Sequence, residues 1–413
     1  MNNKAEQYDT RSAGLLVAFM WCAYFLNYCD RQAVFAMFPS LTSDLGMSDR
    51  QLGLIGAVFL WVYAIGCPLA GYLGDRFSKR LMVVWSLIIW SLVTIATGFS
   101  TSATMLLSLR ALMGVSESLF MPTAIALTAN AHPAHARSRA IATLTTAQIV
   151  GTVVGSWFGG WMADRGEWRI AFFALGAVGI VYAIPYFLFL KGVSETPAFN
   201  ASQFDAKAPS RSLYRVPSFL LLCLVFPVFV FGLWLLYGWL PTFLHDKFLL
   251  NQSTAAFNAT VYLQGMTLVG LLGGGVLSDA LYRRTKAARH WLMVGSLLLC
   301  APCLYLIGNS DTLTATRIAA GAFGLMSGLF MGNIFPAAFE VVPTSSRASA
   351  VGVLNLCGGM VSGFAMLFGG LWKQSLGIDR LMGFTACGFV VAGLLLLAGL
   401  GRLFDTDHAK VQE

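Results

Sequence analysis

Four ionisable residues, Asp30, Arg31, Arg110 and Glu117, each lie inside an apolar run. A charge at the centre of a membrane helix costs about 2.5–3.5 kcal/mol on insertion scales, so such residues face a bundle interior or an aqueous cavity and are paired. Arg110 and Glu117 are seven apart, two helical turns, and share one face. Asp30 and Arg31 are adjacent, so their side chains diverge by about 100° around the helix, one toward the fourth span and one toward a central cavity. The expected arrangement pairs Arg110 with Asp30. It leaves Arg31 for a carboxylate from outside, which a planar and permanently charged guanidinium suits. Asp30 and Glu117 become the proton carriers, because burial favours a protonated carboxyl and a nearby arginine an ionised one. Two arginines and two carboxylates nearly cancel, so an incoming anion favours uptake of a proton. The structural alternative is two ion pairs that only pin the first span to the fourth.

The elements that must hold these groups are membrane spans. The chain has 413 residues, 57% hydrophobic and 11% charged, against about 25% charged in soluble domains. Its apolar runs are about 20 residues long, enough to cross a hydrocarbon core of about 30 Å. They begin near Ala13, Leu52, Leu81, Ala103, Ala140 and Ile170, and again near Pro217, Thr254, Trp291, Leu313, Ala348 and Leu381. The reading is an all-α membrane protein with 12 transmembrane helices. Residues 1–190 form one six-helix bundle, 191–215 a polar linker and 216–413 a second bundle.

The halves echo each other. Gly71-Tyr-Leu-Gly-Asp75-Arg76 closes the second span, and Gly275-Val-Leu-Ser-Asp279 closes the eighth, with Arg283 following. Gly114-Val-Ser-Glu-Ser-Leu-Phe-Met121 in span four matches Gly324-Leu-Met-Ser-Gly-Leu-Phe-Met331 in span ten. Ser138-Arg139-Ala140 opens span five as Ser346-Arg347-Ala348 opens span eleven. Internal repeats with a site at their interface are the architecture of secondary transporters.

The net charge of +8 reflects topology rather than nucleic-acid binding. Arg76, Lys79, Arg80, Arg137, Arg139, Lys191, Arg283, Arg284, Lys286, Arg289 and Arg347 fall on one predicted side, with most of the remaining basic residues. Arg50, Arg165, Arg169, Lys247, Arg317, Lys373 and Arg380 fall on the other. The asymmetry places both termini in the cytoplasm. No nucleophile–base constellation, metal-ligand cluster or phosphate loop points to an enzyme. Cys300 and Cys303 form an isolated C-x-x-C in an apolar helix and read as packing residues.

The stretch Gly71-x-Leu-x-Asp75-Arg76-x-x-Lys79-Arg80 resembles the signature loop of the major facilitator superfamily, with Ser78 where glycine is usual. The resemblance covers the whole chain and implies the major facilitator fold. It also implies that Gly71, Asp75, Arg76 and Arg80, mirrored by Asp279 and Arg283, form a gating loop at the cytoplasmic mouth. Asn27-Tyr28-Cys29-Asp30-Arg31 resembles the Asn-Tyr-x-Asp-Arg motif of the anion:cation symporters, which carry sugar acids and other organic anions. Spinster-like lipid transporters share a very similar motif. Tyr63 and Gln148 fall where sugar-acid symporters place substrate-binding residues, and Asn355 where that branch has a polar contact. Arg31, Tyr28, Tyr63, Gln148 and Asn355 are thus the expected substrate contacts, and Asp30, Glu117 and Arg110 the proton-coupling group. Each polar residue could equally be a buried group satisfied by a neighbouring helix.

The expectation is a proton-coupled symporter of a small organic anion working by alternating access. It needs no cofactor, has a proton or else sodium as coupling ion, and acts as a monomer in a bacterial inner membrane. The alternatives are a Spinster-like carrier of lysolipid or another amphiphile, and a proton-antiport exporter. Arg31 argues against cationic drugs as substrates, since like charges repel in a low-dielectric site.

Overall fold

The computed structural model describes residues 10–132, 134–192, 213, 215–343 and 346–412. Twelve helices among them are long and apolar enough to cross a membrane. Spans 1 to 6 are Thr10–Ala36, Asp49–Arg76, Lys79–Gly98, Ala103–Ala131, Ala134–Ala163 and Trp168–Lys191. Spans 7 to 12 are Pro217–Phe248, Gln252–Tyr282, Ala288–Asn309, Leu313–Val341, Arg347–Trp372 and Ile378–Gly399. A short helix, Phe38–Leu45, joins spans 1 and 2, and a C-terminal helix, Asp405–Gln412, follows span 12. Most of the expected linker, 193–212, lies outside the described residues.

Polar residues at the span ends set where helices start. Ser48 and Gln51 form a capping box at span 2. Ser102, Asn251 and Thr312 each accept from a backbone N–H of the first turn of spans 4, 8 and 10. Ser78, standing where the signature has glycine, does the same for span 3 through Leu81 N–H, at 3.4 Å. The departure from the motif therefore has a local use.

Within each half, glycines bring backbones together. A Cβ on Gly114 of span 4 would lie 2.8 Å from Phe59 O of span 2, and one on Gly324 of span 10 would lie 2.2 Å from Leu263 O of span 8. These echoed glycines occupy the same place in the two bundles. Small residues at such crossings permit the close contact that drives helix association in lipid.

Among the described residues the halves meet at one end only. Gly359, Gly363 and Gly370 of span 11 touch Ala64, Trp61 and Asp49 of span 2. Gly352, three turns before Gly363 on that face, has nothing within 4 Å of an added Cβ. Span 2 tells the same story: Leu52 and Ile55 are 1% and 0% exposed, whereas Ile65 and Leu69 are 57% and 61% exposed. At the closed end Trp61 Nε1 donates to Met360 O at 2.9 Å, Lys373 pairs with Asp49 and Asp246, and Asp164, just past the end of span 5, caps the start of span 8. The central cavity therefore opens toward the end that carries Arg76, Arg80, Arg283 and Arg289.

Candidate functional site

Span 1 sets the site. Gly151, Gly155 and Gly159 of span 5 pack against Phe25, Cys29 and Ala33, with added Cβ atoms 2.4–2.6 Å from span 1 backbone atoms. That contact fixes the rotation of span 1. It turns Asn27 and Asp30 toward spans 3 and 4, and Tyr28 and Arg31 toward the cavity side.

Arg31 is enclosed. Its Nη2 and Nε donate to Glu117 Oε2 at 2.7 and 3.2 Å, and its Nη1 reaches the Tyr28 hydroxyl at 3.5 Å. The guanidinium carbon lies 4.7 Å from the ring centroids of both Tyr28 and Phe59, and 4.9 Å from that of Tyr63. Arg31 is 3% exposed and Glu117 0%. An arginine held by a carboxylate and three ring faces is oriented strongly, because cation–π attraction grows as water is excluded.

The structure corrects the expected pairing. Arg110 does not pair with Asp30, and among the described residues Arg110 forms no ion pair. Its Nη1 approaches Met113 Sδ at 3.3 Å, while Nε and Nη2 have no protein partner. Asp30 accepts from Thr94 Oγ1 of span 3 at 3.3 Å. It is Arg31 that takes the carboxylate of span 4. A fully buried Glu117 demands a countercharge, and Arg31 lies closer to its level in the membrane than Arg110 does, two turns along span 4.

The other expected contacts divide. Tyr63 borders Arg31 as expected, with Cys67 one turn beyond it. Gln148 accepts from the Tyr24 hydroxyl at 3.2 Å, next to an apolar crevice lined by Met20, Tyr24, Phe120 and Leu144. Asn355 is exposed on span 11, one turn from Gly359 toward the open end. Three residues not foreseen border this cluster: Phe59 under Arg31, and from the second half Tyr237 with Gln264, which it reaches, Tyr237 lying within electrostatic range of Tyr28. Aromatic spacing in spans 2 and 7 was the available signal, but it does not distinguish cavity rings from packing rings.

The gating-loop residues lie far from this site. Gly71 lies within span 2, and the Asp75 side chain lies outside what the structure describes. Arg76 stacks on Tyr72, its guanidinium 4.2 Å from the ring. Arg80 donates to the carbonyls of Leu190 and Lys191 at the end of span 6, at 3.4 and 3.5 Å, where a cation offsets the helix dipole. In the second half Asp279 pairs with Arg289, at 3.3 Å, and Arg289 also bonds Glu340. Arg283 is exposed and forms no ion pair among the described residues, so Arg289 takes the part expected of it. The sequence held the signal: Arg289 is the second residue of span 9 as Arg80 is of span 3.

Two six-span bundles, an echoed loop and a cavity between them that opens at one end define a known architecture. The Major Facilitator Superfamily profile matches residues 20–366. The chain is a major facilitator transporter. It is 26% identical to the hexuronate transporter of Bacillus subtilis, over 82% of each chain. It is 30% identical to human protein spinster homolog 1 over 72% of this chain and 60% of that protein. A crystal structure of a bacterial homolog of the human lysosomal transporter Spinster, inward-facing and occupied, superimposes with a TM-score of 0.84. That likeness covers 97% of this chain and 99% of the other at 21% identity, and concerns the fold.

Proposed function

We propose that this transporter is a proton-coupled symporter of a small organic anion, moving it by alternating access between the two halves. The observation that carries the reading is the buried Arg31–Glu117 pair, framed by Tyr28, Phe59 and Tyr63. The Glu117 carboxylate stands where a substrate carboxylate would bind the guanidinium. An anion that displaces it leaves Glu117 without a countercharge, and a proton on Glu117 removes that cost. Anion and proton then bind together, and a proton on Glu117 without an anion leaves Arg31 unpaired. Tyr63, Gln148 and Asn355 supply hydrogen bonds for hydroxyl groups, and Asp30 is the second proton carrier. The hexuronate relative supports a sugar acid or similar carboxylate.

The asymmetry of basic residues supports a cytoplasmic open end and hence an inward-open conformation; the setting is a bacterial inner membrane, in which the protein acts as a monomer. Asp75, Arg76 and Arg80, with Asp279 and Arg289, hold the opposite, outward-open state by bringing the cytoplasmic ends of the spans together.

Proteoliposomes loaded with a pH dye test this reading. Sugar acids, short carboxylates and lysolipids are added in turn. One carboxylate class is expected to acidify the lumen. Arg31→Ala should reduce that signal about a hundredfold, since removing one partner of a buried charge pair costs about 2–5 kcal/mol. Lysolipid entry without a response to any anion would replace this reading with an amphiphile carrier, which the 30% identity to human spinster homolog 1 makes the competing one.

A further inference from the structure

Behind the Arg31 site lies a set of buried polar atoms that the protein itself leaves without partners. Glu117 Oε2 receives both bonds from Arg31, and its Oε1 receives none. Asn27 is 1% exposed, and although its amide faces Glu117, neither its Nδ2 nor its Oδ1 meets a protein partner at hydrogen-bond distance and angle. Asp30 Oδ1, Arg110 Nε and Arg110 Nη2 are in the same condition, in residues only 2% exposed. These atoms share one neighbourhood. Asn27 and Asp30 are three residues apart on one face of span 1. The Asn27 amide is turned toward Glu117, and Asp30, Glu117 and Arg110 lie within electrostatic range of one another. The opposite face of span 1 is sealed by the glycines of span 5, so the cluster belongs to the interior of the first half.

Buried polar atoms in such density are satisfied by ordered water when the site is polar and each water finds several partners. We propose that Asn27 holds water between Asp30 and Glu117, forming a buried hydrated link through which the proton passes between the two carboxyl groups. In the transfer, the Asp30 O–H bond breaks and its proton joins a water. A proton of the water chain is released to Glu117 Oε1, where a new O–H bond forms. Asp30 becomes a carboxylate and Glu117 a neutral acid, with no change in the water. Asn27, a donor and an acceptor at one position, orients the water for both partners. It is a positioning residue, and the proposal rests on the symport reading of Asp30 and Glu117.

Two measurements test it, one independent of transport. Brief radiolysis of the protein in nanodiscs oxidises side chains beside bound water. Met113 is 0% exposed and its sulfur lies 3.3 Å from Arg110 Nη1. Met382, also 0% exposed, sits in the second half and serves as control. Met113 should oxidise about tenfold faster than Met382 through its bound water. Asn27→Leu should remove the difference, and Asn27→Ser, which leaves room and a hydroxyl for water, should keep it. Equal oxidation of the two methionines in the unaltered protein would overturn the hydrated link.

In proteoliposomes, Asn27→Leu should slow carboxylate-driven acidification about tenfold or more while substrate exchange falls less than about threefold, with Asn27→Ser restoring most of the acidification. Equal loss of both activities without rescue by serine would make Asn27 structural and overturn its positioning role. If the unaltered protein fails to acidify with any carboxylate, the symport reading falls, and the methionine contrast still decides the hydrated link.

Discussion

Span 4 carries Arg110 and Glu117 on either side of Gly114; span 10 carries Ala320 and Ser327 at the same spacing from Gly324. The glycines do the same work, pressing span 4 onto span 2 and span 10 onto span 8. The flanking residues do not. Glu117 binds Arg31 across to span 1, while Ser327 donates to Gly324 O at 2.8 Å and lies 3.2 Å from Thr267 Oγ1. The paired charges Asp279–Arg289 and Arg289–Glu340 lie at the open end of the second half, and Lys373–Asp246 at its closed end. A repeated scaffold can therefore keep its packing positions and specialise its chemistry. The first half holds the charges buried beside Arg31, and the second faces them with neutral groups such as Tyr237 and Gln264.

The largest test of that division substitutes the two equivalent positions. Glu117→Gln keeps the shape and removes the charge and the proton. Uphill substrate accumulation should fall about a hundredfold, as for other losses at a buried ion pair, while exchange persists. Ser327→Ala at the matching position should change accumulation less than about twofold, as expected for one weak hydrogen bond. Full uphill transport by Glu117→Gln would remove it from the proton path. A comparable loss in Ser327→Ala would mean that the coupling is shared between the halves.

The packing positions are predicted to behave alike in kind and differ in degree. An added Cβ meets backbone oxygen at 2.8 Å on Gly114 and at 2.2 Å on Gly324. Overpacking costs about 1–3 kcal/mol, and a rigid backbone neighbour puts the tighter site at the upper end. Gly324→Ala should lower the midpoint of thermal unfolding in detergent more than Gly114→Ala does, followed by tryptophan fluorescence. Equal shifts would show that span 10 has slack that the static distance does not reveal.

Hydropathy and the three echoes were enough to read the twelve spans and the pseudo-repeat, because lipid imposes length and apolarity on every span. The four buried charges were equally legible, since nothing else in the sequence would keep Asp30, Arg31, Arg110 and Glu117 within apolar runs. Their pairing was not. Adjacent residues on a helix diverge by a fixed angle, but the helix rotation that gives each its target is set by Gly151, Gly155 and Gly159 on span 5, more than a hundred residues away. The unpaired state of Arg110 and the exchange of Arg283 for Arg289 have the same origin. Both depend on relative heights of spans, which periodicity does not encode. Which end of the cavity is closed was also hidden, because contacts between halves involve ordinary glycines and polar span ends.

The smallest predicted effect concerns those span ends, where the two halves again differ at equivalent places. Span 2 has Asp49 in its own first turn, and the second half answers with Lys373 at 3.4 Å and Gln374 at 3.0 Å. Span 8 has no acidic residue in its first turn, and the first half lends Asp164. That carboxylate accepts from the N–H groups of Gln252 and Ser253 at 2.7 and 2.9 Å and from Ser253 Oγ at 2.5 Å. A carboxylate at a helix N-terminus satisfies bare amides and complements the dipole. These bonds cross between halves, so they exist only while this end is closed. Loss of a cap costs about 1 kcal/mol, which corresponds to a shift of about fivefold in the balance between the closed and open states of this end. Asp164→Ala should therefore enrich the population open at this end about fivefold, read as longer distances between spin labels at the adjoining ends of spans 5 and 8. Lys373→Ala should shift it less, because Asp49 and the Ser48–Gln51 capping box remain to finish span 2 and an ion pair still reached by water is worth little. The reverse order would mean that the ion pairs, rather than the borrowed cap, hold this end shut.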